Sequence, residues 1–297
     1  MRRPTPRLLA IESPFPEAHS MLRVLEPPGS CLESLWERLF EGTYDKPFIV
    51  DNGRRRFLHF DLDAVQSVME LRAPDKLVLA YTRKMMAFLL FNRAPGRILL
   101  LGLGGGSLAK FCYGRLPFAA LTAVELNPDV IALREEFRVP PDDERFRVIR
   151  ADAAAYVAQL PPCKDVILAD ACDRTGVAPE LSAVEFYHNA HRSLSPGGVL
   201  VANVCGDSDS RAAHIAKIRT AFDDQFLSLR VRPQGNVIVF AFKERCPEMD
   251  WEHLTAAASD LKREFGLDFP KSVRRIAIDW KLRRWQHVFA CGRVRDT

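Results

Sequence analysis

The sequence predicts an α/β protein with a doubly wound sheet, preceded by a small unit of β-strands. The strongest sign is segment 97–110, where four consecutive apolar residues lead into a glycine-rich turn and the start of a helix. From there to residue 242, strand-like and helix-like segments alternate, which is typical of a sheet with helices on both faces. Nearer the start, Asn52-Gly53 separates two strand-like runs and predicts a β-hairpin.

The first 76 residues are predicted to form a tail and a small β domain. Residues 1–20 contain four prolines and little periodicity, which favours a disordered tail. Residues 21–76 hold the hairpin, with strands over 48–50 and 54–60, and a third strand over 64–71. Because three strands are marginally stable alone, we expect this domain to help form a homodimer.

Residues 77–297 are predicted to form one catalytic α/β domain that ends in two helices. A helix over 77–91 precedes the central strand. Ligands of such a sheet bind at the carboxyl ends of its strands. The predicted strands are 98–101, 121–125, 146–150, 165–170, 199–203 and an antiparallel pair over 226–231 and 237–242, and the helices after the glycine turn are 127–137, 153–160, 183–194, 211–222, 251–265 and 271–285.

Composition restricts the possible classes of function. The chain has 297 residues, a net charge of +4 and seven scattered cysteines without a Cys-x-x-Cys pair. We therefore expect a cytoplasmic protein with reduced cysteines. The apolar runs are too short for a signal peptide or a membrane span, and the basic C-terminal stretch is interpreted as a solvated helix face. These features argue against membrane and nucleic-acid partners.

The glycine turn predicts a nucleoside site. Glycines at 102, 104, 105 and 106 remove the Cβ at four of the five turn positions, so a ligand can approach the backbone closely. The spacing fits neither a phosphate loop nor the Gly-x-Gly-x-x-Gly dinucleotide pattern, since Ser107 follows the last glycine. This variant suits a nucleoside without pyrophosphate, such as S-adenosylmethionine. A tight turn without any ligand is the alternative.

Polar residues follow the next two predicted strands. Glu125 ends the second strand, 21 residues after Gly104, where a carboxylate can accept hydrogen bonds from both hydroxyls of a ribose. Asp152-Ala153 follows the third strand, where the aspartate can accept from an adenine amine, cap the next helix, or do both. For Glu125, a solvated strand end is the alternative.

The fourth strand runs into Asp170 and Asp173, with Cys172 between them. Two carboxylates three positions apart suit a reaction on a cation, one holding an amine and the other taking its proton. A polar loop without chemistry is the alternative. Cys172 is interpreted as a packing residue, and His188 and His191 as a surface pair, so no metal site is expected.

At these residues the sequence resembles the spermidine/spermine synthase family, the polyamine aminopropyltransferases, over about residues 48–242. It is similar to divergent bacterial spermidine-synthase-like proteins, which carry Gly-Leu-Gly-Gly-Gly-Ser-Leu after a segment like Tyr81-Thr82-Arg83. The resemblance implies a Rossmann-like domain of the class I S-adenosylmethionine-dependent transferase type. It also implies decarboxylated S-adenosylmethionine as aminopropyl donor and a polyamine as acceptor.

Carried over by position, the resemblance gives roles to individual residues. Asp170 would stand beside the donor, and Asp173 would be the acid–base residue at the acceptor amine. Tyr81 matches a tyrosine that lines the junction of donor and acceptor. The expected donor-binding residues are Gln66, Gly102, Gly104, Gly105, Glu125, Asp152, Ala153 and Asp170.

The chain departs from the family pattern at Gly105, where the family has an aspartate that holds the terminal amine of the donor. We therefore expect decarboxylated and intact S-adenosylmethionine to bind within about tenfold of each other. Gly105→Asp should restore preference for the decarboxylated form, provided that the side chain fits the φ and ψ of the turn. Cys205 stands where the family often has an acid for the distal polyamine nitrogen, and Arg174 stands where a proline often follows the second aspartate.

Other functions remain open. The absence of the aspartate at Gly105 favours a small-molecule methyltransferase that uses intact S-adenosylmethionine. A non-catalytic nucleoside-binding or assembly protein is a further alternative, against which the presence of both Asp170 and Asp173 argues. A nucleic-acid methyltransferase is disfavoured, since the chain lacks an Asn/Asp-Pro-Pro-aromatic motif.

Overall fold

The computed structural model describes residues 7–12, 21–171, 177–178, 181–232, 235–246 and 250–292. The chain forms two compact units, each assembled from separate stretches of sequence. The predicted division into residues 21–76 and 77–297 stays a prediction. The first unit comprises Met1–Leu79, Gly102–Pro117 and Leu121–Ala151, and the second comprises Ala80–Leu101, Phe118–Ala120 and Asp152–Thr297.

The first unit contains an antiparallel five-stranded sheet with the order β1-β2-β3-β4-β5. Helix α1 (Leu32–Phe40) buries Leu35 and Leu39 in a cluster with Leu22, Val24 and Phe48. This burial gives the small sheet a core of its own. The strands are β1 (Arg7–Glu12), β2 (Met21–Glu26), β3 (Phe48–Asp51), β4 (Arg55–His59) and β5 (Val65–Glu70).

The predicted hairpin and third strand of this region are confirmed as β3, β4 and β5. The Asn52 side-chain oxygen accepts from the backbone N–H groups of Arg54 and Arg55, at 3.2 and 2.8 Å. The prediction of a disordered tail over residues 1–20 is wrong for residues 7–12, which pair with β2. β1 forms by pairing with the next strand, β2, which the proline-rich local composition does not indicate.

The second sheet has seven strands in the order β11-β12-β10-β9-β6-β7-β8. β9 pairs in parallel with β6 and β10, and β7 with β8, whereas β12 is antiparallel to β10 and β11. The predicted α/β class and the final antiparallel pair are confirmed. The strands are β6 (Arg97–Leu101), β7 (Ala120–Glu125), β8 (Phe146–Arg150), β9 (Lys164–Ala169), β10 (Leu194–Val204), β11 (Phe226–Arg230) and β12 (Val237–Phe242).

Helix α1 is not among the predicted helices, and the later helices follow the predicted order with differences in extent. The helix predicted over 77–91 is a short α2 followed by a 3₁₀ turn (Met86–Leu90), and the helix predicted over 127–137 ends at Ala132. None of the helices in the described ranges is long and apolar enough to cross a membrane. The α-helices after α1 are α2 (Ala80–Met85), α3 (Ser107–Arg115), α4 (Pro128–Ala132), α5 (Ala153–Ala158), α6 (Val184–Ser193), α7 (Ser208–Ala221), α8 (Trp251–Phe265) and α9 (Phe269–Gly292).

Candidate active site

The turn between β6 and α3 needs glycine for its backbone conformation. Gly102, Gly104 and Gly106 have φ values of 92°, 51° and 66°, which lie in the left-handed region that favours glycine. The Gly102 N–H donates to the carbonyl of Val124 at 2.9 Å and ties the turn to β7. A Cβ added to Gly104 would meet none of the described heavy atoms within 4 Å. The backbone at Gly104 is therefore open to a ligand.

Gly105, in contrast, is enclosed by side chains of its own unit. A Cβ at this position would lie 2.6 Å from the Ser67 Oγ and 2.9 Å from the Phe137 Cδ1. The Ser67 hydroxyl lies 3.3 Å from the hydroxyl of Ser107, the first residue of α3. An aspartate does not fit here unless these neighbours move. The φ of Gly105 does not lie in the left-handed region, so the backbone condition on Gly105→Asp is not violated. We nevertheless expect no restored donor preference in this variant, because Ser67 and Phe137 occupy the space.

Glu125 ends β7 and holds two backbone N–H groups with its carboxylate. Oε2 accepts from Leu103 in the glycine turn and Oε1 accepts from Asn127, each at 2.9 Å. A carboxylate has about four lone-pair sites, so both oxygens keep capacity for the hydroxyls of a ribose. Leu126, the next residue, is 53% exposed and offers an apolar surface beside the acid. Glu125 is therefore fixed at the turn, which the alternative of a solvated strand end does not require.

Asp152 caps helix α5 in the second unit. Its Oδ1 accepts from the Ala155 N–H at 2.7 Å, which confirms the predicted capping role. Contact between Asp152 or Ala153 and an adenine stays a prediction. Gln66 lies in β5 of the first unit, where it is half-buried, and its contact with a donor also stays a prediction.

Asp170 follows β9 and is the centre of a polar cluster in the second unit. Asn203, near the end of β10, donates from Nδ2 to the Asp170 Oδ1 at 2.8 Å. Asn236, just before β12, donates from Nδ2 to the Asn203 Oδ1 at 2.9 Å. Tyr81 in α2 donates its hydroxyl to the Asp170 carboxylate. The structure thus brings together two predicted residues, Tyr81 and Asp170, with two asparagines that no sequence motif marks.

Burial dominates the electrostatics of this cluster. It raises the pKa of Asp170 from 3.8 to about 6, although the hydrogen bonds from Asn203 and Tyr81 lower it. Burial and the adjacent Asp170 carboxylate raise the pKa of the Tyr81 hydroxyl well above its usual value. Near neutral pH, Asp170 is therefore mostly ionised but close enough to its midpoint to accept a proton.

The remaining predicted residues have different outcomes. Asp173, Cys172 and Arg174 lie outside the described residues. Cys205, which follows β10, is disulfide-bonded, so the expectation that the cysteines are all reduced is wrong at this position. The His191 Nε2 lies 3.0 Å from the carbonyl of Lys243. Within the described ranges, no group of three or more His, Cys, Asp or Glu side chains could hold a metal ion.

A glycine turn after a buried parallel strand, with an acid at the end of the next strand, defines the class of nucleoside-binding α/β proteins. The particular family follows from a comparison with known sequences. The model for the spermine/spermidine synthase domain matches residues 78–230. A polyamine aminopropyltransferase from Chromobacterium violaceum is 38% identical over 229 residues, which cover 77% of this chain and 88% of the relative. The chain belongs to the spermine/spermidine synthase family, and the resemblance drawn from its motifs is confirmed.

Solved structures agree on the fold. A probable spermidine synthase from Corynebacterium glutamicum matches with a TM-score of 0.59 and 22% identity, covering 88% of this chain and 87% of that chain. Human methyltransferase-like protein 13, in complex with SAH, matches with a TM-score of 0.56 and 24% identity, covering 63% of this chain and 92% of that chain. Aminopropyltransferases and methyltransferases therefore share this fold, and the fold alone does not choose between them.

Proposed function

We propose that this chain transfers an aminopropyl group from decarboxylated S-adenosylmethionine to a polyamine or another amine. Its family supports this reaction, as does the 38% identical relative named polyamine aminopropyltransferase. The structural observation that carries the proposal is Asp170, a half-buried carboxylate held by Tyr81 and Asn203, whose pKa desolvation raises to about 6. A protein that only binds a nucleoside needs no proton acceptor of this kind.

The first unit offers groups that suit the nucleoside of the donor. The open backbone at Gly104 lets the adenosine approach closely, and the Glu125 oxygens can accept from its ribose hydroxyls. Exposed Leu126 can pack against the adenine ring. The further donor contacts proposed from the family pattern are Gln66, Gly102, the Gly105 backbone, Asp152, Ala153 and Asp170.

The proposed chemistry is an in-line displacement at the methylene carbon beside the sulfonium. A neutral amine forms the new C–N bond, the C–S bond breaks, and methylthioadenosine leaves with the bonding electron pair. Asp170 takes the proton that the amine nitrogen loses, and the alignment of the two substrates supplies much of the rate. The sequence assigns this proton to Asp173. We assign it to Asp170 because of its contacts and raised pKa, and we propose Asp173 as an acceptor-binding acid.

The packing around Gly105 affects the choice between decarboxylated and intact S-adenosylmethionine. Ser67 and Phe137 fill the position from which an aspartate would hold the donor's terminal amine. Helix α3, described along its whole length, has no acidic residue in its first turn. The turn thus brings no negative charge against a methionine carboxylate, and we expect the two donors to bind within about tenfold of each other. Methyl transfer from intact S-adenosylmethionine is therefore the second candidate function.

Product analysis tests the proposal. We expect the purified chain, given decarboxylated S-adenosylmethionine and a panel of diamines and polyamines, to release methylthioadenosine and to add one aminopropyl group to an acceptor. Mass spectrometry detects both products. Asp170→Asn and Asp173→Asn should each abolish transfer while they retain methylthioadenosine binding, since each removes a carboxylate but little volume. A wild type that only methylates amines from the intact donor would refute aminopropyl transfer and support the second candidate.

We also propose a cytoplasmic homodimer that acts on small-molecule amines, without a nucleic-acid or membrane partner. The proposed homodimer rests on the small size of the antiparallel sheet, which pairing with a second copy would support. The proposed location rests on the composition of the chain.

A further inference from the structure

The hydrogen bonds around Asp170 have a direction that chemistry imposes. An ionised carboxylate only accepts hydrogen bonds, so Asn203 must turn its NH₂ group toward Asp170 and its oxygen away. The Asn236 NH₂ group lies 2.9 Å from that oxygen and donates to it. Asn236, Asn203 and Asp170 thus form a chain in which each asparagine donates to the next member.

We propose that Asn236 and Asn203 are positioning residues, forming an amide relay that fixes the orientation and the protonation of Asp170 during transfer. This inference rests on the function proposed above. Neither amide has to touch a substrate, because both act through the Asp170 carboxylate. Asn236 matters because it determines which side of the Asn203 amide faces Asp170.

The three residues come from neighbouring elements of the second sheet. Asp170 follows β9, Asn203 belongs to β10, and Asn236 precedes β12, with β10 between the other two strands. The pairing of β10 with both neighbours is regular here, with Ala202 opposite Ala169 and Val204 opposite Val237. The relay therefore fixes the carboxylate through backbone positions that the sheet already holds.

The relay opposes the effect of burial on Asp170. Among the described residues, Tyr81 from α2 and Asn203 from β10 are the polar groups that bear on its pKa, and no charged side chain contributes. Burial favours the protonated acid, while the two hydrogen bonds favour the ionised form. When the Asn203 donor is lost, one hydrogen bond opposes burial, and the pKa of Asp170 must rise.

Asn236→Asp is the sharpest test. A carboxylate at position 236 cannot donate, so the Asn203 amide turns its NH₂ group toward it and presents its oxygen to Asp170. The acidic midpoint of kcat/KM, which we expect in the wild type near the Asp170 pKa of about 6, should rise by about one pH unit in this variant. Asn203→Leu, which removes the donor, should also raise it. Asn236→Ala removes the Asn236 donor without adding charge and should also raise the midpoint. It replaces Asn236→Asp as the test if the aspartate variant does not fold.

The matched control is Asn52→Asp. The Asn52 side chain accepts from two backbone N–H groups in the β3–β4 hairpin, a role that a carboxylate also fills. This variant should keep the wild-type midpoint, although it carries the same chemical change. A shift of equal size in Asn52→Asp would overturn the relay, because it would show a general effect of the substitution. A shift in Asn236→Asp that the uncharged Asn236→Ala does not reproduce would also overturn it, because it would show repulsion by the added local charge alone.

A second readout separates this inference from the proposed function. The ¹³C NMR signal of the Asp170 carboxyl, identified by its loss in Asp170→Asn, reports the midpoint without turnover. If the wild type makes no aminopropyl product, the proposed function fails, while the NMR midpoints still test the relay. The relay would be overturned if the Asp170 midpoint were unchanged both in folded Asn203→Leu and in whichever of Asn236→Asp and Asn236→Ala folds.

Discussion

Gly105→Ala tests how tightly the first unit packs around the glycine turn. The added Cβ would lie 2.6 Å from the Ser67 Oγ, 2.9 Å from the Phe137 Cδ1 and 3.0 Å from the Ser67 Cβ. Ser67 is 6% exposed and Phe137 is 1% exposed, so neither side chain can move aside into solvent. Overpacking costs about 1–3 kcal/mol. With three contacts this short, we expect Gly105→Ala to lower the free energy of unfolding by about 2–3 kcal/mol.

Gly104→Ala is the matched control. Gly104 has a φ of 51°, and its added Cβ would be more than 4 Å from the described atoms around it, so only backbone strain of about 1 kcal/mol is expected. Ser67→Ala removes the contact at 2.6 Å and leaves those at 2.9 and 3.0 Å. In the double variant, Ser67→Ala should therefore recover part of the stability that Gly105→Ala loses, with a coupling free energy of about 1 kcal/mol. It should not offset the cost of Gly104→Ala.

Urea denaturation of the wild type, the three single variants and the two double variants gives these free energies. The packing argument is refuted if Gly105→Ala is as stable as the wild type, or if its cost adds to that of Ser67→Ala without coupling. Gly105→Asp should be at least as unstable as Gly105→Ala, and calorimetry should find no gain in preference for the decarboxylated donor. A wild type that already prefers that donor a hundredfold would contradict the donor-choice argument.

Three further predictions concern the first unit and the donor. Methylthioadenosine at about 100 times its Kd should stabilise the fold by about 2.7 kcal/mol. If a high concentration of methylthioadenosine gives neither a shift in melting temperature nor a calorimetric signal, the predicted nucleoside site is wrong. Light scattering at micromolar concentration should give the mass of a dimer, and a monomer would exclude the proposed assembly. Arg56→Met should lower the free energy of unfolding by about 3 kcal/mol, because Arg56 pairs with Asp51 at 2.7 Å and Glu136 at 2.8 Å. Arg54 is 74% exposed, so Arg54→Met should lower the free energy of unfolding by under about 1 kcal/mol. Equal losses in Arg54→Met and Arg56→Met would contradict this prediction.

The parts of the fold that local sequence determines could be predicted. The apolar residues of β6 are all buried, and Asn127 caps α4 with Pro128 at its first position, as the sequence indicates. Tyr81 and Asp170, placed at the site by their family motifs, contact each other. Each of these features depends on residues a few positions apart or on a recognised motif.

Features that depend on pairing between separate elements could not be predicted. β1 forms through pairing with β2, and residues around it are rich in proline, so its composition indicates a tail. The amide relay joins Asp170 to Asn203 and Asn203 to Asn236, each pair 33 positions apart, and an asparagine near a strand end has no distinctive spacing. Only the sheet order brings these side chains together.

At the glycine turn, the sequence motif can be recognised, but the residues that surround it cannot be predicted from the motif. The missing carboxylate at Gly105 is visible in the sequence, but the side chains that exclude it come from β5 and from the segment after α4. Arg56 in β4 donates to the carbonyl of Glu136 at 2.6 Å, directly before Phe137, and so helps hold one wall of this space. Ser67 in β5 forms the other wall. The proposed donor choice therefore depends on the five-stranded sheet as much as on the glycines, and we expect substitutions in β4 or β5 to alter it while every glycine stays in place.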